Sequence, residues 1–199
     1  MSGKGLESRV VESDLGWLEP DDGGVAKAAP RTLYVRRRLL NGDAVRAWAA
    51  SQGIASTLPP GDMHATVAFS REPVDWSQFE PDPRPLTVLG GERAAHQFPA
   101  QSTPNGALVL RFEDPSLRAR WQEFRDGGAS WDFPEYQPHI TITYSVPGAE
   151  LGAIEPYGGQ LVFGPEVFAE VNDGWAGEIV EESTVVKRSI PRVRPRRAV

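Results

Sequence analysis

Cysteine is absent from this chain of 199 residues, which excludes a disulfide framework, a thiolate nucleophile and a cysteine-ligated zinc site. No apolar run approaches the ~20 residues that a membrane-spanning helix needs. The first residues, MSGKGLESRVVESDLG, lack the apolar core of a signal peptide, so we expect an intracellular protein without membrane contact. Histidine is scarce too, with three in the chain, and the placement of each is therefore informative.

The net charge of −6 is unevenly distributed. Residues 187–199 hold six Lys and Arg side chains and no acid, which leaves 15 basic against 27 acidic side chains in the rest of the chain. A domain that acidic is a poor candidate for binding long nucleic acid through counterion release. A small phosphate-bearing ligand, held by a local group of donors, remains compatible with this charge.

Composition divides the chain into three segments. Residues 1–30 are rich in Gly, Ser, Asp and Glu and are predicted to be a flexible leader. Residues 176–199 are predicted to be a flexible tail that ends in proline and arginine. The folded domain is expected at 31–175, and the sequence leaves its oligomeric state open.

Inside this domain, two helix patterns alternate with short strand-like runs. The helices are predicted at NGDAVRAWAASQG and DPSLRARWQEFRDGG, each followed by a proline-containing turn and then by a strand-like octet. This order favours an α+β fold with two lobes, in which antiparallel sheets and outer helices surround a central cleft. The similar position of the octets predicts a pseudo-twofold relation between the lobes.

The two octets, MHATVAFS at 63–70 and PHITITYS at 138–145, nearly repeat each other. Alternate side chains of a strand share a face, so each octet should present an imidazole and a hydroxyl on its polar face. The polar face of the first octet should comprise His64, Thr66, Ala68 and Ser70, and that of the second His139, Thr141, Thr143 and Ser145. The residues between them, including Phe69 and Tyr144, should face the core.

Two imidazoles and two hydroxyls around one cleft suit phosphodiester chemistry. One neutral imidazole can accept a proton from the attacking hydroxyl or water, and the other, when protonated, can donate one to the leaving oxygen. The threonine hydroxyls can donate to the non-bridging oxygens of the phosphate. The near-symmetry leaves open which histidine is the base.

Histidine and arginine side chains in such patterns also have other roles in proteins. Two histidines can also ligate a metal, but the HExxH pattern is absent, and we expect neither a metal nor a cofactor. The run Arg36–Arg38 either meets a ligand phosphate or forms a solvated group of charges.

Paired H-x-T motifs, one in each lobe, resemble those of the 2H phosphoesterase superfamily. Four longer blocks resemble the anti-CBASS phosphodiesterases of tailed phages, and the resemblance covers roughly residues 31–172. These blocks are RTLYVRRRLLNGDAVRAWAASQG, TLPPGDMHATVAFSREPVDW, GASWDFPEYQPHITITY and EPYGGQLVFGPEVFAEV. Enzymes of that family cleave the cyclic di- and trinucleotides that bacteria synthesise as infection alarms.

The resemblance also implies roles for individual residues. Its catalytic pairs correspond to His64 with Thr66 and His139 with Thr141. Tyr34 corresponds to the aromatic residue that contacts a nucleobase of the substrate. The acidic contact corresponds to Glu166, with Glu170 as the second choice. An aromatic contact from the loop between the motifs corresponds to His96 or Phe98.

The implied function is hydrolysis of 3′,5′-linked cyclic di- or trinucleotides in the cytoplasm of a host bacterium, by a protein of phage or prophage origin. One alternative stays within the superfamily, namely action on RNA 2′,3′-cyclic phosphates or 2′,5′ linkages. The other is a non-catalytic sponge for cyclic nucleotides, although two intact H-x-T pairs argue against it.

Overall fold

The computed structural model describes residues 29–99, 106–145 and 151–174. Apart from Ala29 and Pro30, the predicted leader lies outside these ranges, as does the predicted tail, so both remain predictions. The strands and helices are β1 (Arg31–Leu39), α1 (Gly42–Ser51), β2 (His64–Val74), β3 (Leu86–Val88), β4 (Arg93–Phe98), β5 (Ala107–Phe112), α2 (Pro115–Asp126), β6 (His139–Thr143) and β7 (Leu161–Ala169). Two short 3₁₀ turns lie at Trp76–Gln78 and Leu151–Ala153.

The strands form one antiparallel sheet in the order β3-β7-β1-β2-β6-β5-β4. The order β1–α1–β2 recurs as β5–α2–β6, and the two halves meet where β2 pairs with β6. The predicted α+β architecture and the pseudo-twofold are confirmed, with the strands of both lobes joined in a single sheet. Each octet therefore supplies one of the two central strands.

The two helices begin in different ways. Asp114 caps α2, because its Oδ1 accepts a hydrogen bond of 2.9 Å from the backbone N–H of Leu117. Asn41 precedes α1 but makes no side-chain cap. Its amide instead donates to the carbonyl of Gln160 at 2.8 Å and accepts from the N–H of Val162 at 3.0 Å, which ties the start of α1 to the β7 side of the sheet.

Both helices pack on one face of the sheet. Their apolar stripes, represented by Val45 and Phe124, join a single core with alternate residues of the strands, such as Leu33, Val67 and Ile140. The opposite face of the central strands carries the imidazoles and hydroxyls. In the described part of the chain, no helix is long and apolar enough to cross a membrane.

The edge strand β4 was not predicted. The segment with His96 and Phe98 was expected to be a loop, but it pairs with β5 over six residues from Arg93 to Phe98. Alanine and polar side chains have weak strand preference, so this strand is specified by its pairing with the apolar β5 rather than by its own pattern.

Candidate active site

The two H-x-T pairs lie side by side at the centre of the sheet. Ala65 pairs with Ile140 across β2 and β6. Because these strands are antiparallel, the residues on either side of that pair face each other crosswise, His64 beside Thr141 and Thr66 beside His139. Side chains directly opposite each other have Cβ atoms about 4.5–5.5 Å apart. These four residues are called the H-x-T quartet below.

Each imidazole is held by the backbone two residues before it. The distance from His64 Nδ1 to the carbonyl oxygen of Asp62 is 2.6 Å, and that from His139 Nδ1 to the carbonyl oxygen of Gln137 is 2.7 Å. A carbonyl only accepts, so Nδ1 carries the hydrogen in both rings. This tautomer leaves Nε2 of each neutral imidazole with a lone pair for chemistry.

Tyr34 on β1 is bound to the first pair. Its hydroxyl lies 2.7 Å from Nε2 of His64 and also interacts with the side chain of Thr66. Because Nδ1 of His64 carries the ring hydrogen, the tyrosine O–H donates to Nε2. Burial raises the pKa of Tyr34, so its hydroxyl stays protonated. The structure thus places Tyr34 at the quartet, where it contacts a histidine.

Strict alternation breaks down within the first octet. Arg36 pairs with Thr66, whereas Val35 pairs with Ala68, so Val67 is an additional residue on β2 and forms a bulge. After the bulge, Ser70 is fully buried and bonds the backbone N–H of Ser130 at 2.8 Å. The prediction that Ala68 and Ser70 share the face of His64 is therefore wrong.

Phe69 moves to the polar face through the same bulge. It pairs with Tyr34 in the register of β1 and β2, and the two rings lie 6.1 Å apart, edge to face. The predicted core position of Phe69 is therefore wrong.

The second octet has its bulge at the equivalent position. Val109 pairs with Thr141 and Leu108 with Thr143, so Ile142 is the additional residue. Thr143 is 2% exposed, whereas Tyr144 bonds the side chain of Thr141 and lies close enough to Tyr34 to interact with it electrostatically. The predicted faces of Thr143 and Tyr144 are thus exchanged.

Two aromatic side chains of β4, His96 and Phe98, lie on the same side of the sheet as His139. The ring of Phe98 lies 4.8 Å from that of His139, edge to face, and the ring of His96 lies 5.4 Å from Phe98. His96 is exposed. The structure brings both candidates to the quartet side of the sheet, with Phe98 nearer to the imidazole.

Glu166 is not brought to the quartet. It pairs with Arg37 in the register of β7 and β1, on the core face of the sheet. Its carboxylate is 3.5 Å from the guanidinium of Arg37 and 2.9 Å from that of Arg120, and its side chain is completely buried. Glu170 is bound to Arg31 at 3.3 Å. Both carboxylates are therefore paired with arginines, and a contact of either with substrate stays a prediction.

Burial lowers the pKa of both quartet imidazoles. For His64 the hydrogen bond to the Asp62 carbonyl partly offsets burial, and the charge of Arg36 lowers the pKa further. For His139 the charge of Arg111, and that of His64 whenever His64 is protonated, add to the effect of burial. Both rings are consequently neutral at pH 7 in the free protein, and a bound phosphate anion would raise their pKa values.

Two residues of the site escaped prediction, Phe69 and Tyr144. The pattern that could have indicated them is an aromatic residue three positions after the threonine of each H-x-T motif. Period-two alternation assigned both to the core, since nothing in either octet marks a bulge.

Comparison with known proteins identifies a family. The family model described as anti-CBASS protein Acb1 matches residues 31–178. An anti-CBASS protein Acb1 of Caulobacter sp. (strain RHG1) is 46% identical over 159 residues, which is 77% of this chain and 25% of that protein. One from Yersinia phage phiR1-RT is 28% identical over 156 residues, covering 76% of this chain and 95% of the phage protein.

The chain spans about a quarter of the length of the Caulobacter protein and of a 43% identical relative from Sphingomonas paeninsulae. Among solved structures, E. coli LigT complexed with ATP aligns with a TM-score of 0.45 and 13% identity, over 73% of this chain and 89% of LigT. TT0787 of Thermus thermophilus aligns with a TM-score of 0.41 and 19% identity, over 71% of this chain and 87% of that one.

Proposed function

Because the chain belongs to the anti-CBASS protein Acb1 family, we propose that it is a metal-independent phosphodiesterase for 3′,5′-linked cyclic di- and trinucleotides. Its substrates are the signals of bacterial anti-phage defence, and it acts in the cytoplasm of the host bacterium. The observation that carries the proposal is the H-x-T quartet, in which both imidazoles are anchored through Nδ1. The quartet supplies an acid, a base and two hydroxyl donors around one point.

The proposed reaction is an in-line displacement at phosphorus. A ribose 2′-hydroxyl or a water loses its proton to one Nε2 and forms the new P–O bond. The bond from phosphorus to the leaving 5′-oxygen breaks, and the other imidazole delivers the proton that this oxygen needs. Thr66 and Thr141 donate to the non-bridging oxygens, where negative charge builds up.

Tyr34 distinguishes the two histidines. A hydroxyl that donates to Nε2 favours the neutral imidazole, and His64 has such a donor at 2.7 Å. The proposal therefore takes His64 as the base and His139 as the acid. In the complex, the attacking hydroxyl takes the place of Tyr34 at Nε2.

A substrate panel in EDTA tests the function. We expect the protein to open 3′,3′-cyclic GMP–AMP and to leave RNA ends with a 2′,3′-cyclic phosphate unchanged, with products identified by mass. Cleavage of the RNA end alone would favour the alternative within the superfamily. Loss of activity on adding EDTA would refute the metal-free mechanism.

The sponge alternative has a different outcome. A sponge would bind cyclic dinucleotide without turnover, and His64→Ala and His139→Ala would bind it as tightly as the wild type. The proposal instead predicts turnover that depends on both histidines.

A further inference from the structure

The arginines on the quartet side of the sheet differ from the others. In the described ranges, each arginine elsewhere is paired with a carboxylate or bonded to a backbone carbonyl. These are Arg31, Arg37, Arg46, Arg71, Arg84, Arg93, Arg118, Arg120 and Arg125. Within the same ranges, no hydrogen bond or ion pair holds the guanidinium of Arg36, Arg38 or Arg111, and all three residues lie beside the quartet.

Strand register places these three arginines. Arg36 pairs with Thr66, and Arg38 pairs with His64, both across β1 and β2. Arg111 pairs with His139 across β5 and β6. The backbone of each arginine therefore lies one strand, about 4.8 Å, from the backbone of a quartet member.

The run Arg36–Arg38 is divided between the two faces of β1. Arg37 is 4% exposed, and its guanidinium forms ion pairs on the core face with Asp82, at 2.9 Å, and with Glu166. Arg36 and Arg38 are exposed on the other face, two residues apart, so their backbone positions are separated by about 6–7 Å. No carboxylate of the described ranges pairs with either guanidinium, so both remain able to donate charge-assisted hydrogen bonds to an anion.

We propose that Arg36 and Arg38 bind a second phosphate of the substrate, next to the phosphate that is cleaved. This assignment rests on the proposed function, because it takes the scissile phosphate to lie over the quartet. The ligand class is then a nucleotide ring with at least two phosphodiesters, one over β2 and β6 and the next over β1. Arginine suits this contact because its planar fork can donate two hydrogen bonds to one phosphate.

The two sides of the quartet explain why the second phosphate lies over β1. The pseudo-twofold relates Arg38, beside His64, to Arg111, beside His139. It relates Arg36, beside Thr66, to Val109, beside Thr141. The β1 side therefore has two cations where the β5 side has one.

Calorimetric binding tests the assignment. The His139→Ala background prevents turnover, and the ligands are 3′,3′-cyclic GMP–AMP and the linear dinucleoside monophosphate ApA, which has a single phosphodiester. We expect Arg36→Met and Arg38→Met each to raise the Kd of the cyclic dinucleotide roughly tenfold, as loss of a charged hydrogen bond should. The Kd of ApA should change less than about twofold, and Arg36→Lys should restore part of the affinity for the cyclic ligand.

Arg118→Met is the matched control. It removes an arginine of α2 that is paired with Glu113, and it should leave both Kd values unchanged. If the β1 variants raise the Kd of both ligands equally, these arginines contact the scissile phosphate and the inference is overturned. Unchanged Kd values for both ligands would overturn it as well. If the wild type binds with this selectivity but never hydrolyses the ring, the proposed function fails while the second-phosphate site stands.

Discussion

At the scale of single residues, the two imidazoles are alike in how they are anchored and different in what they touch. Both donate Nδ1–H to a carbonyl two positions earlier. Nε2 of His64 accepts from a tyrosine hydroxyl, whereas the ring of His139 makes an edge-to-face contact with a phenylalanine. The local environment, rather than the motif, therefore separates the roles proposed for the two rings.

Removing the Tyr34 hydroxyl should change the titration of His64. Its donation to Nε2 favours the neutral ring, so Tyr34→Phe is expected to raise the pKa of His64. NMR titration of the ring protons measures this directly. Tyr144→Phe is the matched control, since that hydroxyl bonds Thr141 and should move the His64 titration less. Equal shifts in both variants would contradict the role given to Tyr34.

Removing the charge of Arg111 should raise the pKa of His139, which the same NMR titration measures. The pKa of His139 is lowered by burial first and then by the charges of His64 and Arg111. Arg111→Met removes the guanidinium, which is charged at every pH of the titration, so the imidazolium of His139 should persist to higher pH. The limb of the pH–kcat/KM profile that reports His139 should move to higher pH as well. An unchanged or lowered pKa of His139 would show that the guanidinium does not act on this ring.

At the scale of elements, strands β1 and β7 and helix α2 are joined by buried charges. Glu166 lies between Arg37 and Arg120, and it also accepts from the backbone N–H of Asp82 at 3.0 Å. Removing one member of a buried ion network leaves the others uncompensated. The network therefore fixes the strand that carries Arg36 and Arg38 without touching the quartet.

Glu166→Gln should accordingly lower stability more than binding. The free energy of unfolding is expected to fall by about 3–5 kcal/mol, with KM for the cyclic dinucleotide unchanged at temperatures where the variant is folded. Glu170→Gln is the comparison, because its exposed pair with Arg31 should contribute at most about 1 kcal/mol. Denaturant titration and steady-state kinetics give the two quantities. A large rise in KM with normal stability would restore Glu166 as a substrate contact.

The sequence predicted the elements well where one pattern decided them. The Asp114 cap and the following Pro115 specified the start of α2, and the two octets specified the central strands. Alternation assigned His64 and Thr66 to one face correctly, because they precede the bulge at Val67.

The predictions failed where partners decide the structure. A bulge depends on how two strands pair, so neither octet alone reveals the shift that places Tyr144 on the quartet side of the sheet. The edge strand β4 exists because β5 lies beside it. Glu166 is one acid among many in the sequence, and only the pairing of β7 with β1 shows that Arg37 occupies it.

At the scale of the whole molecule, the repeat of strand, helix and strand places two similar half-sites next to each other. Each half contributes one imidazole of the proposed acid–base pair, and the antiparallel contact of β2 with β6 brings the two together. Within the described ranges, the arginines without a carboxylate or carbonyl partner lie on the same face. The fold and the charge distribution therefore direct an anionic ligand to one place on the sheet.

The most direct test of this account is single-turnover cleavage of 3′,3′-cyclic GMP–AMP in EDTA by the wild type, His64→Ala and His139→Ala, with thermal melts to verify folding. The account predicts cleavage by the wild type and a rate at least ~100-fold lower in each variant, as expected for loss of a general base or acid. Near-normal rates in both folded variants would contradict it.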